Sequence, residues 1–236
     1  FNSNVSNFTE TERNALDYLV TNLKAGSNLW GKFTAIYPYT GSGSLTASLK
    51  ELKSLGIVGL TIQGAANQSS LGVETTTTNS YATYPSGYAL AIGTNTIVLS
   101  IQEDISSTGW DFGTTGTRYN FSVRNISNNT NLNIYGTTSV SVSNTNARGL
   151  YIMKIPSAAS SPGVELYKNG SLIGTGSTGI QSSVGTQNAL GTGVTAQSST
   201  RIQGFYGFAL SYHFTASEIT EANSIITTYL SMLGRT

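Results

Sequence analysis

Apolar residues recur along this chain with two different periods, and the change of period divides it. Near the N-terminus Ala15, Leu16, Leu19, Val20 and Leu23 share one face at helical spacing. Thr9 with Glu12 three residues on forms a capping box before them, and Gly26-Ser27 ends the run. Near the other end Ala222, Ile225, Ile226, Tyr229, Leu230 and Leu233 make a second stripe. Thr215 and Glu218 repeat the capping box, Phe214 and Ile219 staple it, and Gly234 supplies the stop. Each cap contributes about 1 kcal/mol. Helices striped in this way need an apolar surface to lie on.

Between the helices the period shortens. Lys32–Tyr37, Ile57–Ile62, Tyr88–Ile92, Thr96–Ile101, Arg118–Val123, Asn131–Tyr135, Val140–Ser143, Leu150–Ile155 and Phe205–Tyr212 read as short strands, many of them bounded by Gly, Asn, Ser or Thr clusters. Val164–Lys168 and Ser171–Gly174 flank Asn169-Gly170, a pair that supplies the two positive-φ positions of a type I′ hairpin. Residues 41–55 are ambiguous: Leu45, Leu49 and Leu52 suit a short helix, whereas the preceding Gly-Ser alternation suits a loop. Many short strands without alternating helices predict a sandwich or barrel rather than a βαβ sheet.

Composition narrows the class. A β-sandwich can take up all 236 residues as one unit. It would bury roughly 70–75% of its unfolded surface, so the lack of cysteine is no obstacle to folding. Charged residues make only 10% of the chain, twelve basic and eleven acidic, replaced by Ser, Thr, Asn and Gly. Thirteen Tyr, eight Phe and two Trp argue for a packed core rather than disorder. A net charge of +1 gives nucleic acid no electrostatic footprint. No run of about 18 apolar residues offers membrane insertion. A start at Phe1 suggests processing or excision from a longer chain.

Chemistry is sparsely provided. One histidine, His213, and no cysteine cannot make a zinc site of the usual ligand types. No G-x-S-x-G elbow presents a serine to it. The glycine patterns at 174–179 and 191–196 lack a following helix and read as loops. Glycoside hydrolysis mostly needs two facing carboxylates; Glu103 and Asp104 are adjacent, and Glu51, Glu74 and Glu165 stand apart. Glu103, Asp104 and Asp111 are the weak candidates for calcium, the one cofactor left open. The best binding lead is a Gly-flanked loop, with Trp110 and Tyr119 as stacking platforms and Asp111 and Arg118 as hydrogen-bonding partners. Tyr81, Tyr84 and Tyr88 form a second aromatic cluster suited to packing.

Two motifs carry a family resemblance. Glu165-Leu166-Tyr167-Lys168-Asn169-Gly170 followed by Ser171-Leu172-Ile173-Gly174 resembles the penultimate hairpin of concanavalin A-like (laminin-G-like) domains. Phe205–Ser211, then Phe214–Thr220 and a helix ending at Leu233-Gly234-Arg235, is similar to their last strand and tail. Residues 32–41, with Gly72-Val73 and Asn79–Thr83, resemble the variant found in bacteriophage virion and tail-associated proteins. The resemblance implies an all-β, two-sheet antiparallel jelly-roll sandwich with an N-terminal and a C-terminal α-helix. Its domains would be a helical segment over 1–30 and the sandwich over 31–236.

The acid pair of the family's glycanases has no match in this sequence. The expectation is therefore a non-enzymatic phage virion or tail surface protein, extracellular, that attaches to a cell-surface glycan. Its other partners would be further copies of itself or other virion proteins. Two alternatives stand beside it: a self-assembling coat, sheath or decoration subunit, and a secreted bacterial glycan-binding module or glycanase.

Overall fold

The structure is a computed structural model and describes residues 8–42, 44–53, 59–77, 79–83, 94–114, 119–134, 137–156, 163–177, 187–190 and 198–235. In chain order its elements are α1 (Glu10–Lys24), α2 (Leu29–Lys32), β1 (Ala35–Tyr37), α3 (Leu45–Ser48), β2 (Thr61–Gln63), β3 (Ala66–Ser69), β4 (Gly72–Thr75), β5 (Tyr81–Thr83) and β6 (Asn95–Ile101). There follow β7 (Phe112–Thr114), β8 (Tyr119–Ser122), β9 (Asn129–Ile134), β10 (Thr137–Ser143), β11 (Gly149–Ile155), β12 (Val164–Lys168), β13 (Ser171–Gly176), β14 (Gln187–Leu190), β15 (Gln203–Leu210) and α4 (Ala216–Met232).

Among the described residues the strands form two antiparallel sheets. One runs β13-β12-β11-β6-β15-β4-β3, with β1 also paired to β15; the other runs β10-β9-β8-β7-β14-β5-β2. Period-2 alternation places Ile97, Leu99 and Ile101 of β6 and Tyr206 and Phe208 of β15 on the inner face of the first sheet. They meet Phe112, Phe121, Leu132 and Ile134 of the second. Ring contacts span the gap, Phe121 to Tyr151 at 5.6 Å and Phe112 to Tyr206 at 5.8 Å. This is a β-sandwich.

The first sheet is apolar on its other face as well. Val98, Leu150, Ile152, Phe205 and Ala209 join Ala15, Leu16, Leu19 and Leu23 of α1 and Ile219, Ala222, Ile226 and Tyr229 of α4 in a second buried layer. β6 and β15 are accordingly buried along nearly their whole length. Thr9 and Thr215 each complete a capping box with the glutamate at N3. The apolar stripe of α1 is therefore covered within the chain.

Local chemistry explains where the strand expectations shift. Asn28 takes a left-handed conformation (φ 52°) and caps the single turn of α2, which delays the strand expected from Lys32 to Ala35. Ser44 caps α3, so residues 45–48 of the ambiguous segment are helical. The Asn169-Gly170 hairpin stands as its turn chemistry dictates, with φ of 49° and 79°. The strand expected over Tyr88–Ile92 lies outside the described residues.

The ring of Phe121 fills the gap between the sheets, so Phe121→Ala should cost about 3–5 kcal/mol in denaturant unfolding. Leu172→Ala, at a residue 52% exposed, should change stability by less than about 0.5 kcal/mol.

Candidate functional site

A cleft of about 440 Å³ opens where α4 crosses the end of the larger sheet. Asn223, Thr227 and Leu230 line one wall; their i, i+4, i+7 spacing puts them on one face of α4. The opposite wall is the end of β6 (Ile101, Gln102) and the start of β11 (Gly149, Leu150). Asn146, Arg148, Asn169 and Arg235 complete the rim.

The rim is held by backbone-directed hydrogen bonds. Asn169 grips Leu150 twice: its N–H donates to the Leu150 carbonyl (2.8 Å) and its Oδ1 accepts from the Leu150 N–H (2.9 Å). A Cβ at Gly149 (φ 148°) would lie 2.8 Å from that Oδ1, so glycine is required there. The β10–β11 loop is held by Asp104, after β6, which accepts from Ala147 N–H (2.7 Å), and by Asn146 Oδ1, which accepts from Arg148 N–H (2.9 Å). Tyr151 Oη accepts from Asn144 and donates to the Ala147 carbonyl. Lys168 Nζ donates to Asn144 Oδ1 (3.0 Å) and to the Asn146 carbonyl. Arg148 Nε donates to the Gln102 carbonyl (2.9 Å), which fixes the plane of its exposed guanidinium. The buried Arg235 donates to the carbonyls of Ser70, Tyr39 and Gly204.

The floor is apolar through Ile101, Leu150 and Leu230, while four amides, a hydroxyl and two guanidiniums ring it. Asn223 Oδ1 is buried and has no hydrogen-bond partner. Such a cleft can hold a small polar ring, with one face on the floor and its hydroxyls at the amides.

Of the residues expected to bind, Trp110 and Asp111 are not among those that line this cleft. Asp111 is fully buried, and its Oδ2 accepts from Arg201 Nη1 (2.6 Å) and Val123 N–H (2.8 Å). Arg201 is itself buried and also reaches the Ile105 carbonyl (2.7 Å) and that of Arg124. Asp111 is thus an internal tie between segments. Trp110 is half-buried and bridges to Ser198, its carbonyl accepting from Ser199 N–H. Tyr119 opens β8; Arg118 lies outside the described residues, as do Tyr84 and Tyr88. Tyr81 is half-buried on β5.

The calcium candidates do not converge either. Glu103 accepts from Ile202 N–H, Asp104 pairs with Arg124 at 2.8 Å, and Asp111 pairs with Arg201. Among the described residues no group of three or more acidic or His side chains gathers to hold a metal.

One acid expected to stand apart does not. The Glu74 carboxyl is pushed up by burial first and then by the charge of Glu103, against a hydrogen bond from Asn67. His213 is half-buried, bonded to the Ile155 carbonyl, and desolvation lowers its proton affinity.

No protein-family model and no curated protein matches the chain. Solved structures do. Trypanosoma rangeli sialidase in complex with sialic acid aligns over 96% of this chain and 39% of its own, with a TM-score of 0.66 at 11% identity. A T. rangeli sialidase mutant displaying trans-sialidase activity aligns over 92% and 39%, with a TM-score of 0.65 at 10% identity. The receptor binding domain of botulinum neurotoxin C/D mosaic serotype aligns over 82% and 51%, with a TM-score of 0.60 at 9% identity. The chain spans about two-fifths of the sialidases, and at these identities the likeness shows the fold. It corrects one expectation. A fold that makes up about two-fifths of a sialidase gives no ground for reading this chain as non-enzymatic, and that reading is withdrawn.

Two outcomes test the roles of the buried ion pair and of the histidine. Arg201→Met leaves Asp111 buried without its cation and should cost about 3–5 kcal/mol, with the loss reduced when Asp111→Asn is added. For His213 the folded state favours the neutral ring. Its contribution is present above the ordinary value of 6.5 and is lost as pH falls below it toward the lowered folded value. Thermal unfolding should therefore weaken less between neutral and mildly acidic pH in His213→Gln than in the parent.

Proposed function

We propose that this chain is a glycan-binding β-sandwich and that the cleft beneath α4 seats one sugar unit. The observation that carries the reading is the cleft's chemistry, an apolar floor of Ile101, Leu150 and Leu230 ringed by Gln102, Asn146, Asn169 and Asn223. Sugars combine a hydroxyl-bearing rim with apolar ring faces, and this pairing suits them. The sandwich fold, shared with sialidases and with a toxin receptor-binding domain, supports it. An extracellular or virion-surface setting belongs to the same proposal, supported by the resemblance of residues 32–41 to phage proteins and by the low charge. One shallow site gives about −4 kcal/mol, or roughly millimolar affinity. Display in several copies would raise avidity by roughly 10²–10⁴.

The fold's likeness to part of a sialidase favours a second reading, hydrolysis of a glycosidic bond, with Glu74, whose charge interacts with that of Glu103, as the acid to test. New reducing ends released from oligosaccharide by the parent and not by Glu74→Gln would establish it.

Binding is tested by titrating labelled protein with an oligosaccharide panel and following its NMR shifts. Residues lining the cleft should shift first. Thr227→Trp, at an exposed cleft-lining position, should weaken binding by about tenfold or more, whereas Ser224→Trp, exposed and outside the lining, should not. Shifts confined to the Trp110 end would move the site away from the cleft.

A further inference from the structure

We infer that the cleft selects sugars bearing a carboxylate, with Arg148 as the carboxylate's partner. This rests on the cleft being the sugar site and adds the class of sugar.

The charge around the cleft is one-sided. The chain has twelve basic and eleven acidic residues, yet the lining holds Arg148 and Arg235 and none of the acids. Lys168, outside the lining, holds the loop that carries Arg148, its Nζ on Asn144 and on the Asn146 carbonyl. Asp104, on the other side of the same loop, is turned to Arg124 and to the Ala147 N–H. In a chain so sparing of charge, two guanidiniums around one apolar floor set up a local positive potential. A neutral sugar would draw no benefit from it.

Arg148 is suited to read the anion. Its Nε is tied to the Gln102 carbonyl and its N–H to Asn146 Oδ1, so the guanidinium is oriented before a ligand arrives. A planar guanidinium matches a carboxylate in shape and charge, and little ordering cost remains on binding. Arg235 is buried against three carbonyls and acts through its field rather than by contact. The amides and the unpartnered Asn223 Oδ1 then serve the sugar's hydroxyls.

The test compares a glucuronate-terminated disaccharide with its methyl ester on the full chain, by calorimetry or NMR titration. These differ in charge and hardly in shape. The acid should bind about tenfold more tightly than the ester. The gap should shrink in about 1 M salt, where the Debye length is roughly 3 Å. Arg148→Gln should close most of the gap while leaving ester binding in place, and Arg148→Lys should keep part of it. The parent-protein comparison decides the matter even if an Arg148 variant folds poorly. Equal binding of acid and ester would overturn the carboxylate inference and leave sugar binding standing. A sulfated analogue binding as tightly as the acid would overturn the assignment to carboxylate. If neither acid nor ester binds, the sugar site itself fails, and this inference with it.

Discussion

The seating of α4 across the outer face of β6, β15 and β11 is the contact on which the rest of this molecule depends. Ile219, Ala222, Ile226 and Tyr229 lie in one buried layer with Val98, Ile152 and Phe205, and the rings of Phe205 and Tyr229 stand 6.4 Å apart. Tyr229 also donates to the Pro38 carbonyl at 2.8 Å. A buried apolar side chain of this size contributes about 1.5–3 kcal/mol. Several together rival the roughly 5–15 kcal/mol that a whole domain retains. Without this helix the sheet would expose its apolar outer face, and α1, which packs beside α4, would lose its support. The cleft has one wall on α4 and the other on the sheet, so its width is set by the same contact.

Charge is used in this fold mainly to place backbone. Arg235 ties the end of the chain to the Ser70, Tyr39 and Gly204 carbonyls, and Arg201 ties those of Ile105 and Arg124 while pairing with Asp111. Guanidinium suits this duty because it offers five donors in a fixed plane. Burying it with Asp111 carries a desolvation cost that their attraction does little more than offset. What the pair contributes is position, because it fixes three segments far apart in sequence at one end of the sandwich. Arg148 is built from the same chemistry but sits at the surface, and its exposure is what distinguishes it.

Local signals were legible in the sequence; relations across the chain were not. The capping boxes at Thr9 and Thr215 and the Asn169-Gly170 turn depend on residues within four positions of each other. β6 and β15 could be seen because their apolar residues run nearly unbroken. β3 is Ala66-Asn67-Gln68-Ser69, with no apolar alternation, and it exists because β4 pairs with it across a short turn. Asp111 read as a loop acid because its partner stands ninety positions away. The cleft gathers residues from Ile101 to Arg235, and in sequence its Asn and Thr looked like any others in this amide-rich chain. An Asn-rich loop ending in Arg148, directly before a strand, was the one signal that could have pointed to it.

The sandwich itself decides little about activity. Parts of sialidases and of a toxin receptor-binding domain share it at about 10% identity, so the frame tolerates nearly complete replacement of its side chains. Two apolar layers need only volume and alternation, which many sequences supply. Specific chemistry must then sit where the layers end, at turns and helix–sheet junctions, whose residues the core does not dictate. In this chain one such junction holds the cleft rimmed by Arg148 and Arg235. Its walls are α4 and the ends of β6 and β11, while Asn146 and Arg148 stand in the loop before β11. The fold constrains where function can lie, and the polar residues at such junctions, which the core does not dictate, determine what it is.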